Sequence, residues 1–421
     1  MDFKLDHYRK TENIIRCQVC NEPGLKPLLD LGYQPLCNDF LPNTEVPSSH
    51  TFYPLCVYYC NPCSLAQLGY VIPTKEAFGE QYTYLTGSSK SLIDYYSELA
   101  QQLNKQFNLN PGDIAVEIGS NDGTFLKALQ AYGLNVLGVE GSPKAASLSA
   151  DAGVPTIDRF FGSGSTKAIK AHLPPGSKVK LVIAMNVLAH TDNIGEFLSE
   201  LKGVMDEDSI FVSSCHWLIE LIRKFEFDTI YHEHLRYYTA HSLIRVFEQH
   251  GLFMFDAEVT DFYGGSILCY SKFNPHPPSD RLAEILKQED QVNVPGSLVD
   301  MKNTLIKNKS RMLSLLVDLK VSGNRIIGVG APMKASTLLN FYGITPDLVD
   351  YISEVNELKV GTVVPGVRIP VVHEDVVFDD QPDYAILLSW NMAIPIIRNY
   401  RKRGFKGKFI LPVPEPEVIN Q

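Results

Sequence analysis

The chain has 421 residues, enough for two or three domains at roughly 150 residues each, and 45% apolar against 20% charged residues marks it as globular and not disordered. Lys plus Arg is 38 and Asp plus Glu is 48, a net charge of −10. That balance argues against a nucleic-acid surface, though not against a local basic pocket. The start, Met1-Asp2-Phe3-Lys4-Leu5, lacks the basic and apolar regions of a signal peptide, and no run approaches the about 20 apolar residues of a membrane span. The expectation is a cytoplasmic protein with neither nucleic acid nor membrane as partner, a monomer being favoured.

In chain order, residues 1–78 come first. They are rich in proline, read as mostly loop, and hold six of the eight cysteines. A segment of this kind buries little core and needs a staple. Cys17-Gln18-Val19-Cys20 and Cys60-Asn61-Pro62-Cys63 supply one, because two CxxC pairs suit a single tetrahedral Zn²⁺. Four sulfur ligands leave no open position, so the metal is expected to be structural. The competing readings are a redox CxxC or chance burial; Cys37 and Cys56 read as packed thiols.

An amphipathic helix over about 90–108 follows, then an α/β pattern. Apolar runs at 114–118, 135–139, 179–184 and 209–213 alternate with helical stretches at 123–132, 144–152 and 194–205, which predicts a mostly parallel sheet. Thr239 caps a helix to about 250. The runs 253–259 and 266–272 then read as a hairpin across Tyr263-Gly264-Gly265. Residues 276–322 form a helical connector, interrupted at Pro295-Gly296 and helical from about 297 to 321. A second α/β unit occupies 323–421, with strands at 325–329, 348–352, 384–388 and 409–411 and a helix at 335–342. The domains expected are therefore 1–78, 79–275, 276–322 and 323–421.

Three constellations carry chemistry. Val116-Glu117-Ile118-Gly119-Ser120-Asn121-Asp122-Gly123 places glycines at a strand-to-helix turn, where backbone can approach a ligand. It is ExGxxxG, not the GxGxxG that presents a helix N-terminus to pyrophosphate. An acidic residue before the turn suits the cation of S-adenosylmethionine (SAM), and Glu140, at the end of the next strand, is placed for the ribose hydroxyls. The expected cofactor contacts are Glu117, Gly119, Asn121, Asp122, Gly123, Glu140 and Asn186, joined by Tyr84 and Ser88 from the polar-aromatic bend 82–89. A dinucleotide or a bare structural turn are the alternatives.

Tyr231-His232-Glu233-His234 follows the 209–213 strand, and His190 follows the 179–184 strand. Connections leaving the carboxyl ends of parallel strands open onto the ligand crevice. A phenol, imidazoles and a carboxylate there can remove a proton and steady the resulting charge; a solvated polar loop is the bland alternative. Last, Gly330-Ala331-Pro332-Met333-Lys334 is a second glycine turn ending in a lysine at a helix start, suited to a phosphate or to tight packing alone. Gly330, Lys334, Tyr82 and His232 are the candidate substrate contacts.

With the zinc knuckles, Glu117–Gly123, the Tyr-His-Glu-His tetrad and the Gly-Ala-Pro-Met-Lys turn in one order, the chain resembles the sugar C-methyltransferases. These act on nucleotide-linked 4-keto-deoxyhexoses, here dTDP-linked by expectation. The resemblance spans nearly the whole chain and implies a class I SAM-dependent methyltransferase core with a zinc-binding N-terminal domain and a Rossmann-like C-terminal domain. It also implies 3-C-methylation with His234 as base, and Tyr231, Glu233 and His190 lining the sugar pocket. Met333-Lys334-Ala335-Ser336 departs from the smaller residues expected around that lysine. The chemistry fits: a 4-keto group acidifies the C3 proton, a histidine removes it, and a phenol or imidazole N–H holds the enolate oxygen. The rival readings are an O- or N-methyltransferase, a zinc-ribbon binding protein without enzyme activity, and a nicotinamide oxidoreductase.

Overall fold

The computed structural model describes residues 15–43, 50–73, 77 and 84–419. Its centre is a seven-stranded sheet. Across it run Phe253–Thr260, Ser266–Lys272, Ile210–His216, Val179–Met185, Ile114–Ile118, Asn135–Glu140 and Thr156–Asp158. Ser266–Lys272 is antiparallel to both neighbours, and the five strands from Ile210–His216 onward are parallel. This is the sheet of a class I methyltransferase, hairpin included. The apolar runs become its buried middle strands, Ile114–Ile118 being buried at every position. Thr156–Asp158 has no sequence signal: three half-exposed residues carry neither alternation nor an apolar run.

The C-terminal sheet has the order Val371–His373, Ile352–Glu354, Ile326–Val329, Tyr384–Leu387, Lys408–Leu411, Glu417–Ile419, parallel except for the last strand. Its second strand begins at Ile352, later than the expected 348–352, because Thr345–Asp350 closes the preceding turn, with the Leu348 and Val349 amides bonding the Thr345 carbonyl.

Two expectations need correction. Among the described residues of 1–78 the loop reading missed two long antiparallel strands, Lys26–Pro35 and Phe52–Cys60. Pro27 and Pro35 are tolerated because Lys26–Pro35 is an edge strand with two irregularities in its ladder. Pro295 does not interrupt the connector either. It sits in the first turn of a 28-residue helix, Val294–Val321, capped by Asn293, whose Oδ1 accepts from the Gly296 amide (3.2 Å). That helix buries Leu298, Met301, Leu305, Asn308, Met312 and Leu316 on one stripe.

The N-terminal sheet is completed from elsewhere in the chain. After Phe52–Cys60 and Leu65–Leu68 its fourth strand is Arg236–Tyr237, with Gln67 opposite Arg236 and Ala66 opposite Tyr237. The tetrad therefore ends where the zinc-side sheet begins. Among the described residues no helix is long and apolar enough to cross a membrane.

Candidate active site

A cavity of about 760 Å³ lies between the carboxyl ends of the central parallel strands and the C-terminal domain, within the range of small-molecule sites. One wall is the glycine turn. Gly119 has a φ of +68°, and a Cβ there would meet the Val187 side chain at 2.7 Å, so glycine is required. Glu140 is buried, and its oxygens accept from the amides of Asn121 (2.8 Å) and Ser142 (2.7 Å), which fixes the carboxylate on the wall. Glu117 is also buried on this wall, with Oε2 unpartnered. Burial, followed by the charges of Glu140 and Asp122, pushes its carboxyl well above the usual range. Asn186, at a φ of +56°, adds a second unpartnered acceptor, Oδ1. Buried acceptors around one cavity suit a ligand that brings a cation and hydroxyls, as SAM does.

Tyr84 and Ser88 lie on this wall too, in a strap held by Asn121: its Oδ1 accepts from Thr86 N (2.9 Å) and its Nδ2 donates to Tyr84 O (3.1 Å). Asp122 and Gly123 are not on the wall. The Asp122 carboxylate accepts from Gly87 N (2.7 Å) and Thr124 Oγ1 (2.6 Å). Gly123 makes the turn, where a Cβ would meet Ser149 Oγ at 2.5 Å. These two expected cofactor contacts support the site from behind. Tyr82 lies outside the described residues.

The opposite side carries the tetrad. His234 Nδ1 is 2.8 Å from the Thr229 carbonyl, and its Nε2 is 2.9 Å from the Tyr231 hydroxyl. Burial, then His190 and His216, hold this imidazole well below 6.5. A neutral ring has one N–H, and a carbonyl can only accept, so the proton is on Nδ1 and Nε2 accepts from Tyr231. His190 Nδ1 lies 2.7 Å from the Glu233 carbonyl and burial lowers its pKa to about 4, so its proton too is on Nδ1. Nε2 of neutral His190 therefore accepts, so of the phenol and imidazole expected to donate to an enolate oxygen this imidazole has no free N–H to give.

Glu233 lies on the cavity wall, with Oε1 accepting from the Cys37 thiol (3.3 Å) and Oε2 buried without a partner. Burial raises its pKa to about 7, and Cys37 and Lys359 oppose the shift. His232 is not on the wall. Its ring faces the N-terminal sheet, with Nε2 3.3 Å from the Pro54 carbonyl and an edge contact to Tyr53. The pairing that completes the zinc-side sheet takes this side chain away from the substrate.

Lys334 reaches the cavity, 4.1 Å from the Trp390 ring centre and 3.8 Å from the buried Asp228 carboxylate. Gly330 does not. Its amide donates to Ser353 O (2.8 Å), and at a φ of +80° a Cβ would meet Ser389 Oγ at 2.6 Å. Sequence reasoning missed His216 and Lys359, both on the wall. His216 ends a central parallel strand, so the rule that pointed to His190 could have found it. Lys359 has no local signal.

Away from the cavity, the sulfurs of Cys17, Cys20, Cys60 and Cys63 all lie within 4.8 Å of one another, and no cysteine is in a disulfide. Cys20 and Cys60 sulfurs are 3.6 Å apart, close to the about 3.8 Å that tetrahedral ligation at about 2.3 Å demands. Burial pushes the Cys60 thiol up to about 12, with Cys17 adding to the rise, so a thiolate at Cys60 needs a dication beside it.

Known proteins fit this arrangement. Residues 17–78 match a zinc binding domain model, 91–254 a methyltransferase domain model and 261–414 the C-methyltransferase C-terminal domain model. The C-methyltransferase NovU of Streptomyces niveus is 30% identical over 414 residues, covering 97% of each chain. Among solved structures, the PH0226 protein of Pyrococcus horikoshii OT3 is 15% identical over 45% of this chain and 94% of its own, with a TM-score of 0.35. Magnesium protoporphyrin IX methyltransferase of Synechocystis PCC 6803 with bound SAH is 16% identical over 43% and 83%, with a TM-score of 0.33. With a relative matched end to end, a zinc-ligating cysteine cluster and a class I sheet, this chain belongs to the SAM-dependent C-methyltransferases with an N-terminal zinc-binding domain.

Proposed function

We propose that the chain methylates C3 of a nucleotide-linked, dTDP-bearing 4-keto-deoxyhexose through an enolate. The observation that carries this reading is a neutral imidazole, His234, lining the same cavity as the acidic cofactor residues, with a phenol already hydrogen-bonded to its basic nitrogen. Carbon becomes a nucleophile only after loss of a proton next to a carbonyl, and this pair suits that task. As a substrate ketone enters, the Tyr231 O–H turns from Nε2 to the ketone oxygen. Nε2 is then bare and takes the C3 proton, while the phenol stabilises the enolate oxygen. The charge of the enolate beside the ring favours the imidazolium, offsetting the burial that weakens the base. SAM, when bound, supplies an electrophilic methyl group.

Glu117, Glu140 and Asn186 would hold SAM: Glu140 by the ribose, Glu117 and Asn186 by the amino-acid and sulfonium end. Gly119, Asn121, Tyr84 and Ser88 would shape that seat. Lys334, over Trp390, is the cation for the nucleotide diphosphate. Alignment of the two reactants contributes roughly 7–11 kcal/mol of barrier reduction.

The test is deuterium exchange of a dTDP-4-keto-6-deoxyhexose in D₂O without SAM, followed by NMR. Exchange at C3 that depends on His234 supports the reading. Exchange at C5, the other carbon beside the ketone, moves the methylated position. No exchange at either carbon, with a methyl group found on oxygen or nitrogen in the full reaction, replaces the enolate reading.

A further inference from the structure

Glu233 and Lys359 line the cavity where the N-terminal, central and C-terminal sheets come together. Glu233 comes from the connection leaving the central sheet, and Lys359 from the loop after Ile352–Glu354 of the C-terminal sheet. Cys37 and Phe40 come from the N-terminal domain. Lys359 is 7% exposed and on the cavity wall. Its Nζ donates to the Ala331 carbonyl (2.7 Å) and lies 4.8 Å from the Phe40 ring centre. Neither contact is a carboxylate. Among the described residues Lys359 and Glu233 form no ion pair, although each feels the other's charge; Lys359 feels that of Glu354 more strongly. On the other side, Cys37 occupies Glu233 Oε1 and leaves Oε2 buried without a partner.

A buried ammonium and a buried carboxylate that face one cavity without touching are each costly unless something bridges them. The bridging group must give a proton to the carboxylate and accept one from the ammonium. A ketone oxygen only accepts and a methylene does neither; a hydroxyl does both.

We propose that Lys359 and Glu233 form a two-sided grip on a ring hydroxyl of the substrate, with Cys37 as a positioning residue that engages Glu233 Oε1 and leaves Oε2 for the sugar. This deepens the sugar reading and rests on it. Lys359 thereby becomes a specificity-determining residue: the protein reads whether the sugar is hydroxylated beside the reacting carbon, and a deoxygenated ring leaves both charges unbridged. Hydrogen bonds to charged groups carry enough free energy for discrimination of about tenfold or more.

The test is calorimetry on the SAH-loaded full chain with three probes: dTDP-4-keto-6-deoxyglucose and its 2-deoxy and 3-deoxy counterparts. Wild type is expected to bind the first at least about tenfold more tightly than one of the deoxy sugars. Lys359→Met is expected to lose that discrimination while keeping its SAH affinity, and Glu233→Gln to lose most of it, which guards against a folding defect in the first variant. Cys37→Ala should move the pH midpoint of sugar binding and leave SAH binding alone. Tenfold discrimination that survives in both Lys359→Met and Glu233→Gln overturns the grip. Failure of wild type to bind any of the three sugars overturns the sugar reading itself, a result distinct from equal binding of all three, which overturns the grip alone.

Discussion

The central and C-terminal sheets present the same device and use it differently. Each has a first parallel strand, a glycine turn and a helix, with a glutamate closing the second strand. In the central sheet Glu140 accepts from two loop amides and still faces the cavity, while Glu117 Oε2, Ser120 Oγ and Asn186 Oδ1 stay buried without partners around it. In the C-terminal sheet Glu354 accepts from the amides of Ala331 (2.6 Å), Val355 (2.7 Å) and Asn356 (3.0 Å). Lys359 takes the Ala331 carbonyl, and Pro332 has no N–H to offer. Beyond residue 308, no buried side-chain nitrogen or oxygen among the described residues lacks a partner. One turn is a seat with unmet valences; the glycine and glutamate of the other form a strut satisfied by its own chain, and only the end of that turn, at Lys334, serves the cavity. What distinguishes a ligand site from its structural twin is this residue of unpaired polar atoms, not the glycine pattern.

The hardest way to strain the comparison is to remove the zinc. Cys17→Ser, or chelation, is expected to unfold the N-terminal sheet, since structural zinc contributes about 10–16 kcal/mol. Loss of its partner strand should then loosen Arg236–Tyr237 and the tetrad, abolishing turnover while SAM affinity stays nearly intact; zinc content, circular dichroism and SAM calorimetry on one sample check this. If SAM affinity falls in parallel, the two sides of the central sheet are not separable.

His234→Asn probes the tetrad alone. Loss of a general base costs roughly 10²–10⁴-fold, so single-turnover rates should fall by that factor at unchanged SAM affinity. His232→Asn should lose far less, because that ring faces Pro54 and not the cavity. A larger loss for His232 would reverse the assignment.

Glu140→Ala and Glu354→Ala set the two turns side by side. The first should weaken SAM by about 1.5–3 kcal/mol through a lost charge-assisted bond. The second should leave SAM affinity unchanged and lower the melting temperature, since three amides lose their acceptor. Equal effects on SAM would mean that the two turns are equivalent after all.

The last effect is on pH. Burial lowers the His232 pKa from 6.5 to about 4. The ring is neutral in the folded chain while the unfolded chain takes up its proton, so its contribution to stability is complete above 6.5 and is lost as pH falls through 6.5 toward 4. His232→Gln should flatten the stability profile in that window and nowhere else, as read from urea midpoints across pH.

The sequence made the central sheet legible because its inner strands are buried on both faces and read as nearly continuous apolar runs at 114–118 and 179–184, interrupted only by Glu117 and Lys180. The hairpin was legible from Gly264-Gly265, and the metal site from two CxxC pairs. Thr156–Asp158 was not, since an edge strand of three half-exposed residues carries no pattern. In the site, His234, Tyr231, Glu233 and Glu140 follow from the ends of strands. The inward or outward facing of neighbours does not: His232 lies between two cavity residues and points away. Lys359 was invisible because its role depends on Phe40, Ala331 and Glu233, which meet only in the folded chain.

The pairing of Leu65–Leu68 with Arg236–Tyr237 also bears on the order in which the chain assembles. Gln67 and Arg236 are about 170 residues apart, and contacts so distant along the chain form late. The four cysteines, by contrast, are all made within the first 63 residues. During synthesis the metal knuckle can close early and hold Leu65–Leu68 as an open sheet edge through the whole production of the cofactor wall. The loop bearing His234, the proposed base, emerges afterward and finds a prepared template. A chain that never captured its metal would complete a cofactor pocket with nothing to fix the base beside it, so its SAM would be bound and idle.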